Sequence, residues 1–202
     1  MTSDMSESEL KERVQLIESM IFEGRRTTES WGWSFLFWGV AYYVAIGWTA
    51  WTHYGLAWLI TMVSASLLMW AIVKSKTKKP EVKKPDTTVG RAIFSIWIAM
   101  GISMSVLLTA MGFSGRFNAQ MFVAVVGAML GTSNAASGMI LRWKAQFACA
   151  LVWWAAAAAA CFATVDQSTV VFLVAIFFCQ IVFGAYAMSC EARARRQGAL
   201  HA

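Results

Sequence analysis

Six stretches of this chain run for about twenty residues each without a single Asp, Glu, Lys or Arg: Trp33 to Trp51, Gly55 to Val73, Ala92 to Gly112, Ala119 to Leu141, Ala145 to Thr164 and Thr169 to Met188. The hydrocarbon core of a bilayer is about 30 Å thick, and about 20 apolar helical residues cross it. Each stretch is long enough. Each is also continuously apolar, whereas the strands of a membrane barrel alternate in polarity over about ten residues. The expected fold is therefore all-α, a polytopic transmembrane helical bundle of six spans. Composition agrees, with 58% hydrophobic and 14% charged residues among 202, and a mean hydropathy of +0.56. The first thirty residues are polar and rich in Glu. They lack the basic start and short apolar core of a signal peptide, so the first stretch reads as an uncleaved anchor.

Lys and Arg collect in cytoplasmic loops, and counting them on alternate sides orients the bundle. One side holds Arg25 and Arg26, the loop residues Lys74, Lys76, Lys78, Lys79, Lys83, Lys84 and Arg91, then Arg142, Lys144, Arg193, Arg195 and Arg196; the other holds only Arg116. Both ends of the chain are therefore expected in the cytoplasm. The expected organisation is a cytoplasmic helix and connector over residues 1–30, a membrane bundle over 31–190 and a basic tail over 191–202. The loop 74–91 contains both prolines, Pro80 and Pro85, and its basic residues suit anionic lipid head groups. The +6 net charge thus marks a membrane side, and no nucleic-acid partner is expected.

Before the first span, Ser6 and Glu9 form a capping-box pattern and Gly24 offers a stop, which predicts a helix over residues 6–23. Leu10, Val14, Ile17 and Ile21 are spaced 4, 3 and 4 along it, with Leu16, Met20 and Phe22 widening the apolar stripe. Residues 1–30 carry seven carboxylates against four basic residues, a net charge of −3. Helices that lie on anionic bilayers usually carry the opposite sign. The stripe is therefore expected to meet protein, a partner or a second copy of the chain, the competing reading being that it folds back on the cytoplasmic ends of its own bundle.

Several chemistries lack their residues. Neither His53 nor His201 falls within a stretch, and no charged side chain lies inside one, so haem or metal ligation and a carboxylate proton relay are not expected. The four cysteines, Cys149, Cys161, Cys179 and Cys190, form no CxxC pair and read as buried free thiols. Nine of the eleven tryptophans, Trp31, Trp33, Trp48, Trp51, Trp58, Trp70, Trp143, Trp153 and Trp154, mostly cluster toward span ends, as an interfacial belt would have them. Around Ser137, the run Ala135–Gly138 resembles the serine motif of six-span rhomboid proteases, but the sixth stretch holds no histidine to act as base. No catalytic residue, metal ligand or cofactor is expected, and the chain does not read as an enzyme.

The fourth stretch carries a seam instead. Gln120, Ala124, Gly127, Gly131, Asn134 and Gly138 recur at spacings of 4, 3, 4, 3 and 4 and share one helical face. Gly127 and Gly131 form a GxxxG pair suited to close helix packing. Asn134 and Gln180 fall at similar depth, with Tyr42, Ser64, Ser66 and Ser103 near that level, so a polar layer is expected that glues helices together or holds a small solute.

The stretch from Asn134 to Gln146, followed by Trp153 and Trp154 and preceded by the acidic N-terminal helix, resembles uncharacterised bacterial six-span inner-membrane proteins. That resemblance implies a bacterial inner membrane and assigns no residue a role. The functional expectation is a sensor or accessory subunit that docks through its N-terminal helix. The alternative is a small-solute channel or carrier using the layer around Asn134 and Gln180.

Overall fold

The computed structural model describes residues 7–52, 56–77, 88–114 and 118–200, nearly all of them helical. Helix α1 spans Glu7–Ser30, α2 Gly32–Thr52, α3 Leu56–Thr77, α4 Thr88–Ser114, α5 Ala119–Ile140 and α6 Lys144–Phe162. A last rod comprises α7 (Val165–Ile176), a π-helical segment (Phe177–Val182) and α8 (Phe183–Leu200). Among the described residues, five helices are long and apolar enough to cross a membrane: Ala57–Ser75, Thr88–Met111, Ala119–Ile140, Lys144–Phe162 and Val165–Ala194. The chain is thus an all-helical bundle of membrane-protein type.

Helix boundaries follow local chemistry. The Asn118 side chain caps α5, accepting from the backbone N–H of Gln120 at 2.9 Å and of Met121 at 3.3 Å. Thr164 and Gln167 form a capping box at the start of α7, each side chain accepting from the other's backbone N–H. Helix α5 ends in a Schellman turn: Arg142 N–H donates to Met139 O, and Trp143 N–H donates to Gly138 O at 2.8 Å. Arg142 occupies its left-handed position at φ 49°, where glycine is the usual residue. The fold accepts that backbone strain, and the Arg142 side chain is exposed at the turn.

One expected boundary does not hold. Gly24 does not stop α1, which continues to Ser30. A Cβ at Gly24 would lie 2.6 Å from Val89 Cγ1 and 3.1 Å from Leu141 Cδ2. Glycine is used there for close approach to the bundle, within a continuing helix. Ser6, the expected N-cap, lies outside the described residues, as do His53, Lys78, Lys79, Lys83, Lys84, Arg116 and His201.

The bundle is packed unevenly. Helices α5 and α6 form the most extensive contact, α2 packs on α3 and α8, and α4 lies against α5 and α1. Only 11% of the apolar window is buried in α3 and in α4, against 56% in α5. Helix α5 is thus the central element, while α3 and α4 present most of their surface outward.

Two crossings bring backbones close where lipid gives no hydrophobic drive between helices. At the first, a Cβ on Gly127 would meet Trp153 O at 3.1 Å and Ala157 Cβ at 3.2 Å, and one on Gly138 would meet Phe147 N at 2.8 Å. A Cβ at Gly131 would overlap the Trp154 indole. At the second, between α2 and the last rod, Gly32 faces Ala187 and the Met188 backbone, Gly39 faces Gln180 and Ile181, and Gly184 faces Leu36. An aromatic chain binds the rest. Tyr42 stacks on Trp58 with centroids 6.0 Å apart, Trp58 meets Phe122 at 5.1 Å, and Phe122 and Trp153 both meet Phe172, at 5.9 and 5.8 Å.

Candidate functional site

Two features are candidates, one in the interior and one on α1. Among the described residues, most buried polar side chains lie on α5, α6 and the π-helical segment, with Thr61 on α3 and Ser168 on α7 bonded to carbonyls of their own helices or caps. Asn134 (1% exposed), Ser137 (0%), Gln146 (0%) and Gln180 (3%) are all enclosed. Asn134 Nδ2 donates to Leu130 O of its own helix at 2.8 Å. Asn134 Oδ1, Ser137 Oγ, Gln180 Oε1 and both amide atoms of Gln146 have no hydrogen-bond partner.

The helix registers set these residues close in depth. Gly138 lies opposite Phe147, which puts Ser137 and Gln146 at one level of the α5–α6 pair. Cys179 Sγ lies 3.5 Å from Cys149 O. That contact brings the π-helical segment alongside α6 one turn from Gln146, about 4.5 Å along the axis. The π-helical turn is itself an irregularity that recurs at functional positions, since it widens the helix and re-aims side chains. Its Gln180 is directed inward beside Gly39 of α2. The set offers neutral oxygens and one carboxamide N–H pair with no ionised group, so it suits a small uncharged polar species or water.

The expected polar layer is only partly assembled. No hydrogen bond joins Asn134 to Gln180; the Asn134 amide N–H donates within its own helix and its Oδ1 has no partner. Ser64, Ser66 and Ser103 are exposed, and the Ser66 hydroxyl donates to Met62 O at 2.8 Å. These serines match the layer in depth but point outward from the sparsely packed α3 and α4. The interior group gains Gln146, which sequence reasoning did not single out. Its position on the stripe Gln146, Ala150, Trp153, Ala157 was the available signal.

Two further expectations are corrected. Trp143 and Trp153 are 2% and 0% exposed. They are core residues, since Trp143 packs on Phe183 with centroids 5.1 Å apart and Trp153 packs on Phe172. Trp51 and Trp70, by contrast, are exposed, and Lys74 Nζ sits 4.6 Å over the Trp70 ring. All four cysteines are free, but Cys161 is exposed and only Cys149 and Cys179 are buried. Among the described residues, no three His, Cys, Asp or Glu side chains come together as a metal site.

The second feature is α1. Every residue from Glu9 to Ser19 is exposed. Leu10, Val14 and Ile17 are 50%, 48% and 56% exposed, while Ile21 is half-buried where the helix reaches the bundle. Leu16 is 61% exposed and lies off that stripe. Arg13 pairs with Glu9 at 3.3 Å along the wet side. The helix is rooted by Gly24 against Val89 and Leu141 and then runs clear of the bundle. A shallow depression along it is lined by Glu9, Glu12, Arg13, Gln15, Leu16 and Ser19, all from α1 itself, so no second element encloses it.

Compared with known proteins, the chain matches no family model, no curated protein and no solved structure.

Proposed function

We propose that the chain is a non-enzymatic component of a bacterial inner membrane, a sensor or accessory subunit, in which α1 is a protein-docking element held at the cytoplasmic face. The observation that carries this reading is the uncovered apolar stripe of α1, with Leu10, Val14 and Ile17 each about half exposed. Burying such side chains gains roughly 1.5 to 3 kcal/mol each, so a helix that leaves three of them open favours a covering partner. A fold-back onto the bundle would instead hide them, and the stripe is covered only from Ile21 and Gly24 onward. Substituting Val14→Asp together with Ile17→Asp is expected to leave the thermal midpoint of the full-length protein unchanged while abolishing assembly through α1. A lowered midpoint with no lost complex would mean that the stripe serves stability alone.

The membrane arrangement belongs to the same proposal. Helix α2 contains no charged residue over its 21 residues and reaches about 31 Å, enough for a sixth span, although its Trp, Tyr and Gly lower its apolarity. An even number of spans puts α1 and the end of α8 on one side. The contact of α1 with both α8 and α4 supports that parity, and the basic loop 74–91 supports its being the cytoplasmic side, near anionic head groups. In intact cells, an impermeant thiol reagent is expected to reach Asp166→Cys and to miss Lys79→Cys. Labelling at position 79 alone would invert the topology.

The rival reading is a small-solute channel or carrier, and the unpartnered oxygens of Asn134, Gln146 and Gln180 are what favours it. Substitution of Gln146, argued in the Discussion, tests whether that group needs a ligand.

A further inference from the structure

We infer that the occupant of the α1 stripe is a second copy of this chain, bound as a short parallel coiled coil; this rests on the docking role of α1 proposed above. The stripe has the spacing of a coiled-coil seam. Leu10, Val14, Ile17 and Ile21 fall on d, a, d and a positions of a heptad repeat, the first three open and Ile21 half-buried where the helix reaches the bundle. The flanks of that seam are Arg13 at g and Glu18 at e. In a parallel pair, a g residue faces the e residue five positions further along the second copy. Arg13 of each copy therefore meets Glu18 of the other, and the two-fold symmetry makes this pairing twice.

Three observations converge on this occupant. The segment from Glu9 to Ser19 is exposed on every side, so nothing in its own chain covers Leu10, Val14 and Ile17. Residues 7–23 carry five glutamates against Lys11 and Arg13, a charge that an anionic leaflet repels but that a self-complementary flank accommodates. Finally, Gly24 roots α1 on Val89 and Leu141, so two copies inserted in one bilayer present their stripes from the same side. A seam of under two heptads is weak in free solution. Confinement of both copies to one membrane raises their effective concentration and compensates for that short length.

The pairing makes an experiment with two differently tagged full-length copies decisive. Wild-type copies are expected to co-purify in mild detergent. Arg13→Glu paired with itself, and Glu18→Arg paired with itself, each set two like-charge contacts across the seam and are expected to weaken capture by about tenfold. Arg13→Glu paired with Glu18→Arg restores both contacts and is expected to co-purify as wild type does. Both positions are exposed, so the fold tolerates the changes. Equal capture in all combinations, or a mixed pair no better than the two same-variant pairs, overturns the inference. If wild-type copies never co-purify while Val14→Asp with Ile17→Asp leaves the thermal midpoint intact, only the second-copy assignment falls. If that double variant lowers the midpoint instead, the docking role itself falls.

Discussion

Replacing Gly138 with leucine is expected to destabilise the bundle by about 3 kcal/mol, with a matching drop in thermal midpoint in mild detergent. The reason is the identity of the obstacle. A Cβ at Gly138 would sit 2.8 Å from Phe147 N and 3.2 Å from Phe147 Cα. Backbone atoms inside a helix cannot step aside, so α6 would have to move away from α5 just beyond the Arg142 turn. That turn has no slack, because Trp143 N–H is bound to Gly138 O at 2.8 Å. At Gly131 the three atoms nearest a Cβ all belong to the Trp154 indole, a side chain 37% exposed that can swing toward lipid, so Gly131→Leu is expected to cost about 1 kcal/mol. Gly101→Leu meets nothing within 4 Å and serves as the neutral control. Equal midpoints for Gly138→Leu and Gly101→Leu would show that α5 and α6 do not cross here.

This graded series also separates what the sequence makes legible from what it hides. Long uncharged stretches announce helices, because lipid leaves backbone groups no other way to be satisfied. The glycine spacing on α5 likewise marks a close-packing face. Its counterpart was harder to see, since the Ala155–Ala160 run of α6 has small residues on every side and gives no direction. The second crossing did leave a trace, Gly32 and Gly39 seven residues apart, but their partners on α8 and the π-helical segment depend on tertiary placement. Depth in the membrane can be counted along a helix, whereas the direction of a side chain depends on which neighbours the helix has. Ser64, Ser66 and Ser103 match the layer in depth and face outward, whereas Gln146 faces inward. Trp153 shows the same limit. It lies near the middle of α6 and is buried against Phe172 of the last rod, and abundance at span ends said nothing of that. The π-helical turn at Phe177–Val182 left no compositional mark at all.

Gln146 gives the second large effect, and its sign decides between glue and ligand. Its carboxamide is 0% exposed and neither amide atom has a hydrogen-bond partner. Burial of an amide without compensation costs roughly 1 to 3 kcal/mol in protein interiors, and leucine is an apolar residue of similar size. Gln146→Leu is therefore expected to stabilise the bundle by about 1 to 3 kcal/mol, read as a raised thermal midpoint. Residues that cost stability in this way persist where something else needs them. If the carboxamide takes up a passing small polar solute with Asn134 and Gln180, the same substitution removes two of the hydrogen-bonding atoms, and the stabilised protein loses solute passage in vesicles. If Gln146 is a solitary polar residue, the midpoint rises and nothing else changes. A fall in the midpoint would contradict both outcomes, because it would mean that ordered partners already satisfy the carboxamide and that the interior polar group is a cohesive element of the fold.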